Sequence, residues 1–232
     1  RRSRLGSAET ARETSLSPAD ALSQTSLFIR TIDRGDATLE AAHAGTADRE
    51  AVNENLQIEY HTEFEDSDVT VEGEPFETWL RSSDAHAFVE WLVTDLFFEI
   101  RSTGATEGLR PLYDALPGSD RVGFEETIRV GDGTEGRETG FDIVARNKKG
   151  TPVVVVAFDR QRDPTRADSI EPFVTDASDV CAEYESLAAA VAITSSYFES
   201  DARAAVEEVT STSLLSRSKH RSYVKVSRTA GY

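Results

Sequence analysis

The sequence predicts an α/β fold, a mixed β-sheet with helices on both faces, and three observations carry that prediction. Gly140 to Arg160 reads as two β-branched runs around the polar turn Arg146-Asn147-Lys148-Lys149-Gly150, which is a β-hairpin pattern. Val153 to Val156 is apolar at every position, as in a strand covered on both faces. Beyond the break at Asp163-Pro164 the chain alternates helix and strand, the order that lays crossover helices against a sheet.

Residues 1–26 are rich in Ser, Thr, Arg, Ala and Glu without a sustained apolar period. They are expected to be a linker or tail, with one helical turn where Ser17 caps and Pro18 takes the first position. Residues 27–82 read as an N-terminal extension. It holds a short strand at Leu27-Phe28-Ile29 with Ile32, closed by Asp33-Arg34-Gly35-Asp36. A helix capped by Asp48 runs to Asn55, and a loosely alternating strand spans Leu56 to Phe64. The acid run Glu63 to Asp68 lacks the Asp/Asn-Gly spacing of a calcium loop and reads as a solvated loop.

Residues 83–232 are expected to form the main domain. Ser83 caps the strongest helix, which runs to about Arg101 and stops at Gly104. Phe88, Val89, Trp91, Leu92, Val93, Leu96, Phe97, Phe98 and Ile100 leave it little polar face, so it belongs at the centre of the core. A shorter helix spans Gly108 to Leu116 and ends at Pro117-Gly118. Strands follow at Val122–Val130, Thr139–Arg146 and Pro152–Phe158. A helix at Asp168–Ser186, a strand at Leu187–Thr194, a helix from Ser200 or Asp201 to about Thr210 and a strand at Ser222–Ser227 complete the order.

The chain of 232 residues carries 42 acids against 25 Lys and Arg, a net charge of −17, and its only lysines are Lys148, Lys149, Lys219 and Lys225. This composition resembles a cytoplasmic protein of a salt-accumulating halophile. At molar salt the screening length is only ~3 Å, so repulsion between surface acids is largely suppressed. No apolar run approaches the ~20 residues of a membrane span. The single Cys181 rules out an internal disulfide and a cysteine-based zinc site, and its helical setting reads as a small buried hydrophobe. His43, His61, His86 and His220 are scattered without paired zinc-ligand spacing. With Arg at position 1 and no Met, the chain is expected to be a fragment of a longer protein.

The order helix, helix, three strands, helix, strand from Ser83, with Asp142 on the hairpin, resembles the restriction-endonuclease-like fold of the PD-(D/E)xK superfamily. The stretch Ala190-Val191-Ala192-Ile193-Thr194-Ser195-Ser196-Tyr197-Phe198, continued by Ala202 to Val209 and Leu214-Leu215, resembles the Mrr-type branch. The resemblance covers residues 83 to 227, and the whole chain also resembles an uncharacterised haloarchaeal domain family. It implies a hairpin Asp and a following acid or amide that hold Mg²⁺, and a Lys two residues later that orients the attacking water. Asp142 matches the first position. The other two should fall on Val155 with Ala157, or on Val156 with Phe158, and none of these is an acid, amide or Lys.

Two functions follow as expectations. In one the chain is a non-catalytic, nuclease-derived module for protein assembly or weak DNA association, needing no cofactor. In the other it is a Mg²⁺-dependent endonuclease with a rearranged site, built from Asp142, Asp159 and a helix acid, Glu90 or Glu99, with Asp142 and Asp159 as the metal ligands. Each residue also has a plainer role. Asp142 caps the hairpin or pairs with Arg160, Glu90 and Glu99 lie on the wet edge of a buried helix, and Asp159 to Asp163 form a solvated loop. A basic cluster, Arg217, Lys219, His220, Arg221, Lys225 and Arg228, either contacts nucleic-acid phosphates or balances acids such as Glu207 and Glu208. Partners expected are DNA, a protein or further domains of a longer chain, and no membrane, with oligomeric state left open. Gly131 to Gly136 sits between strands rather than at a strand-to-helix turn, so it is no nucleotide loop, and no G-x-S-x-G nucleophile turn occurs.

Overall fold

The computed structural model describes residues 14–33, 35–131, 136–212 and 222–223. In chain order the elements are β1 (Thr14–Leu16), α1 (Pro18–Ser23), β2 (Thr25–Thr31), α2 (Leu39–His43), α3 (Arg49–Asn55), β3 (Leu56–Thr62), β4 (Val69–Val71) and β5 (Glu74–Pro75). Then come α4 (Phe76–Ser82), α5 (Asp84–Thr94), α6 (Leu96–Ser102), α7 (Arg110–Ala115), β6 (Ser119–Val130), β7 (Arg137–Asn147) and β8 (Pro152–Asp159). The last are α8 (Ala167–Glu183), β9 (Ala189–Thr194), α9 (Ser200–Thr212) and β10 (Ser222–Tyr223).

Among the described residues the strands form a small sheet, β1-β4-β5, and a seven-stranded mixed sheet in the order β10-β9-β8-β7-β6-β2-β3. β6, β7 and β8 form an antiparallel meander, and α8 then crosses over to bring β9 parallel to β8. β2 pairs antiparallel with both β6 and β3, so the main sheet draws strands from both sides of residue 83. Residues 14–26, expected as linker, instead hold a strand paired with β4 and a helix that buries Ala21 and Leu22. Ser17 does cap that helix, accepting from the Asp20 amide, with Pro18 at its start.

Local chemistry explains most boundaries. The Ser83 hydroxyl accepts from the His86 amide and opens α5, and Asp48 accepts from the Ala51 amide at 2.9 Å to open α3. Gly104, at φ +72°, ends α6 in the left-handed conformation that a side chain would strain. The single helix expected from Ser83 to Arg101 is broken at Asp95, which leaves helical geometry at φ −120° while its carboxylate is held by Arg49 on α3.

The two faces of the sheet carry separate cores. α4, α5 and α6 pack Phe76, Leu80, Phe88, Val89, Leu92 and Phe97 against Val122, Phe124, Ile143, Val154 and Val156. α8 packs Ala177 and Val180 against Ile128, Phe141, Val144, Val155 and Ala190. The opposite allegiance of Val155 and its neighbours shows the run buried on both faces, as its unbroken apolarity requires. No described helix is long and apolar enough to cross a membrane.

Candidate functional site

Asp142 lies in the middle of β7. The strand begins at Arg137 because residues 137–141 pair with the far half of β6. The β7–β8 ladder runs through Ile143↔Val156, and at the next step the Asp142 side chain replaces a backbone acceptor: its Oδ2 accepts from the Phe158 amide at 2.8 Å. Its Oδ1 accepts from the Arg160 guanidinium at 3.0 Å, and that guanidinium lies over the Phe158 ring, 5.2 Å from the centroid. Phe158 in turn meets Phe88 of α5 edge-on at 6.0 Å. The pairing with Arg160, foreseen as Asp142's plainer role, is the arrangement present.

A third charged group was not foreseen. The ladder pairs Phe124 with Ile143 and Glu126 with Phe141, which sets Glu125 opposite Asp142. Glu125 takes φ +47°, a conformation uncommon for any residue but Gly, and nothing in its sequence neighbourhood signals it. Burial pushes its carboxyl above the usual carboxylate range, the Asp142 charge pushes the same way, and Arg160 opposes them. The alternation of the hairpin inverts at this pair. Val122 and Phe124 face the α5 side, whereas Ile128 and Val130 pack on the α8 side.

The remaining candidates do not join this group. The Asp159 carboxylate accepts from the Gln161 amide at 3.0 Å and from the Thr165 hydroxyl, whose oxygen in turn accepts from the Thr194 hydroxyl at 2.9 Å. Asp159 lines a cleft of ≈ 260 Å³ with Ser169, Ile170 and Phe173 of α8, whereas Arg160, the ion-pair partner of Asp142, lies over the Phe158 ring that meets Phe88 of α5. Glu90 and Glu99 are exposed on α5 and α6, the wet edge of those helices. Among the described residues no three His, Cys, Asp or Glu side chains are placed to share a metal ion. At the positions where the resemblance calls for ligands, Val155 and Val156 are fully buried and offer no donor atom. Arg217, Lys219, His220, Arg221, Lys225 and Arg228 lie outside the described residues.

One family model, described as a domain of unknown function (DUF7527), matches residues 16–232. No curated protein and no solved structure matches the chain.

Proposed function

The chain belongs to this family of domains of unknown function, so a role must be read from its own residues, and we propose a non-catalytic, nuclease-derived module of restriction-endonuclease-like fold that serves protein assembly or weak DNA association. The fold part of this reading rests on the antiparallel meander β6-β7-β8 followed by the α8 crossover to a parallel β9, the order shared with the PD-(D/E)xK superfamily.

The observation that carries the functional part is the state of Asp142. One carboxylate oxygen closes the β7–β8 ladder and the other is paired with Arg160, and the strand beside it supplies valines where metal and water would need oxygen and nitrogen. A hard divalent ion takes six or more oxygen ligands or waters, so a site here would first have to displace Arg160 and would then find Asp142 still bonded to the Phe158 amide, with one other carboxylate beside it. The rearranged nuclease with Mg²⁺ draws its one support from Glu125, the second carboxylate beside Asp142.

The test is incubation of the protein with linear, supercoiled and single-stranded DNA at high KCl with Mg²⁺ or Mn²⁺, together with calorimetric titration of each metal. The expected result is neither cleavage nor metal binding. Cleavage lost in both Asp142→Ala and Glu125→Gln would overturn the proposal in favour of the rearranged site.

A further inference from the structure

We propose that the protein self-associates through β3, the end strand of its main sheet, which pairs antiparallel with β3 of a second copy about a two-fold axis at Ile58. β3 has β2 on one side and, among the described residues, no strand on the other. It is seven residues long, has no Pro and bears a single formal charge, Glu59, so it lacks the usual devices that blunt an edge.

The main chain fixes which residues offer their hydrogen bonds outward. Asn55 accepts from the Ile32 amide at one end of the β2–β3 ladder, and the Glu63 amide donates to Gln24 at the other. Both contacts fall on the same register as Thr25↔Thr62 and Thr31↔Leu56, so the odd residues of β3 bond to β2. Leu56, Ile58, Tyr60 and Thr62 therefore direct their N–H and C=O groups away from the sheet, alternating as antiparallel ladders do.

The side chains select the axis. With the two-fold at Ile58, Ile58 meets its own copy and Leu56 meets Tyr60, and these are the β3 residues packed, half-buried, against the core. On the other face Gln57 stands opposite Glu59, twice, in the close non-hydrogen-bonded positions where an amide can donate to a carboxylate. Moving the axis one residue to Glu59 would oppose two carboxylates at that close spacing, and moving it to Gln57 would leave Tyr60 without an apolar partner. The inference stands on β3 alone, and a catalytic hairpin would leave it intact.

The test is light scattering during size exclusion, with amide exchange, on the full chain over a range of concentrations. A dimer is expected, with the amides of Leu56, Ile58 and Tyr60 protected at high concentration and exchanging on dilution. Ile58→Pro should abolish the dimer, because it removes an outward N–H without touching the ladder to β2. Gln57→Glu and Gln57→Lys leave that ladder whole and read the register: the first should weaken association by roughly fivefold and the second strengthen it. A monomer at all concentrations overturns the proposal, whether the even amides exchange freely or are protected from within the chain. A dimer indifferent to Gln57 and Ile58 overturns it as well.

Discussion

Truncating Asp142 to Ala removes the acceptor of the Phe158 amide, a partly buried donor, and should cost about 1–3 kcal/mol. Arg160→Ala removes a half-exposed ion-pair partner and its contact over the Phe158 ring, and should cost about 1 kcal/mol. The order of urea midpoints, wild type above Arg160→Ala above Asp142→Ala, checks the view that this acid is structural first. Equal losses would place its value in the ion pair instead. A second residue-scale test concerns Tyr60, whose hydroxyl donates to Asp66 at 2.6 Å. That bond, aided by burial and the Asp66 charge, pushes its pKa up to about 12. Between pH 10 and 12 the unfolded phenol ionises while the folded one stays protonated, so stability falls as pH rises through that window. An ultraviolet titration should show the Tyr60 phenol ionising late, and Asp66→Asn should return it toward its ordinary value.

At the scale of elements, α5 and the β6–β7 hairpin give the clearest expectations. His86 is buried on α5, its Nδ1 has no hydrogen-bond partner, and burial, its largest influence, lowers its pKa from 6.5 against the pull of Glu90. The folded state then binds fewer protons than the unfolded one below that value, so stability is lost as pH falls, and His86→Leu should remove this slope in melts between neutral and mildly acid pH. In β6, a Cβ at Gly123 would come within 2.0 Å of the Glu126 carboxylate, which lies back across it to clamp Arg121 and Arg146. Gly123→Ala should dislodge that clamp and cost roughly 1–3 kcal/mol in urea unfolding.

These same elements show how far the residues could be read in advance. Ser83, Asp48, Gly104 and the Asn147–Gly150 turn announced themselves because caps and left-handed turns are chemistry local to a few residues. β1 was unreadable because Thr-Ser-Leu becomes a strand only by pairing with β4, more than fifty positions away. The β4–β5 turn uses Glu72 and Gly73, both at positive φ, and a Glu there does not advertise a hairpin as Asn or Asp would. Asp142, Arg160 and Asp159 could be named from the sequence, but the separate surroundings of Asp142 and Asp159 could not. Those of Asp142 depend on the inversion at Glu125, a tertiary event carried by a residue with no intrinsic preference for it.

For the whole molecule, the charge of −17 sets the response to salt. Described cations are largely engaged in exposed pairs, such as Arg137 bridging from β7 to Asp176 and Asp179 on α8, and screening weakens these only slightly because each is worth little. Screening of the net repulsion acts on every acid at once. Thermal midpoints should therefore rise as KCl is increased from 0.2 M towards 2 M at constant pH, where a balanced protein would barely respond; a flat or falling series would count against the halophilic reading.

The inversion at Glu125 and Asp142 has a mechanical consequence at this scale. The base of the long hairpin is held by the α5 layer, while its outer half is gripped by α8 through Phe141 on Phe173 and the Tyr184 hydroxyl on the Arg129 carbonyl. A sheet ordinarily insulates the layers on its two sides from each other. Here one ribbon is anchored in both, and its anchorage changes sides at two carboxylates and an arginine.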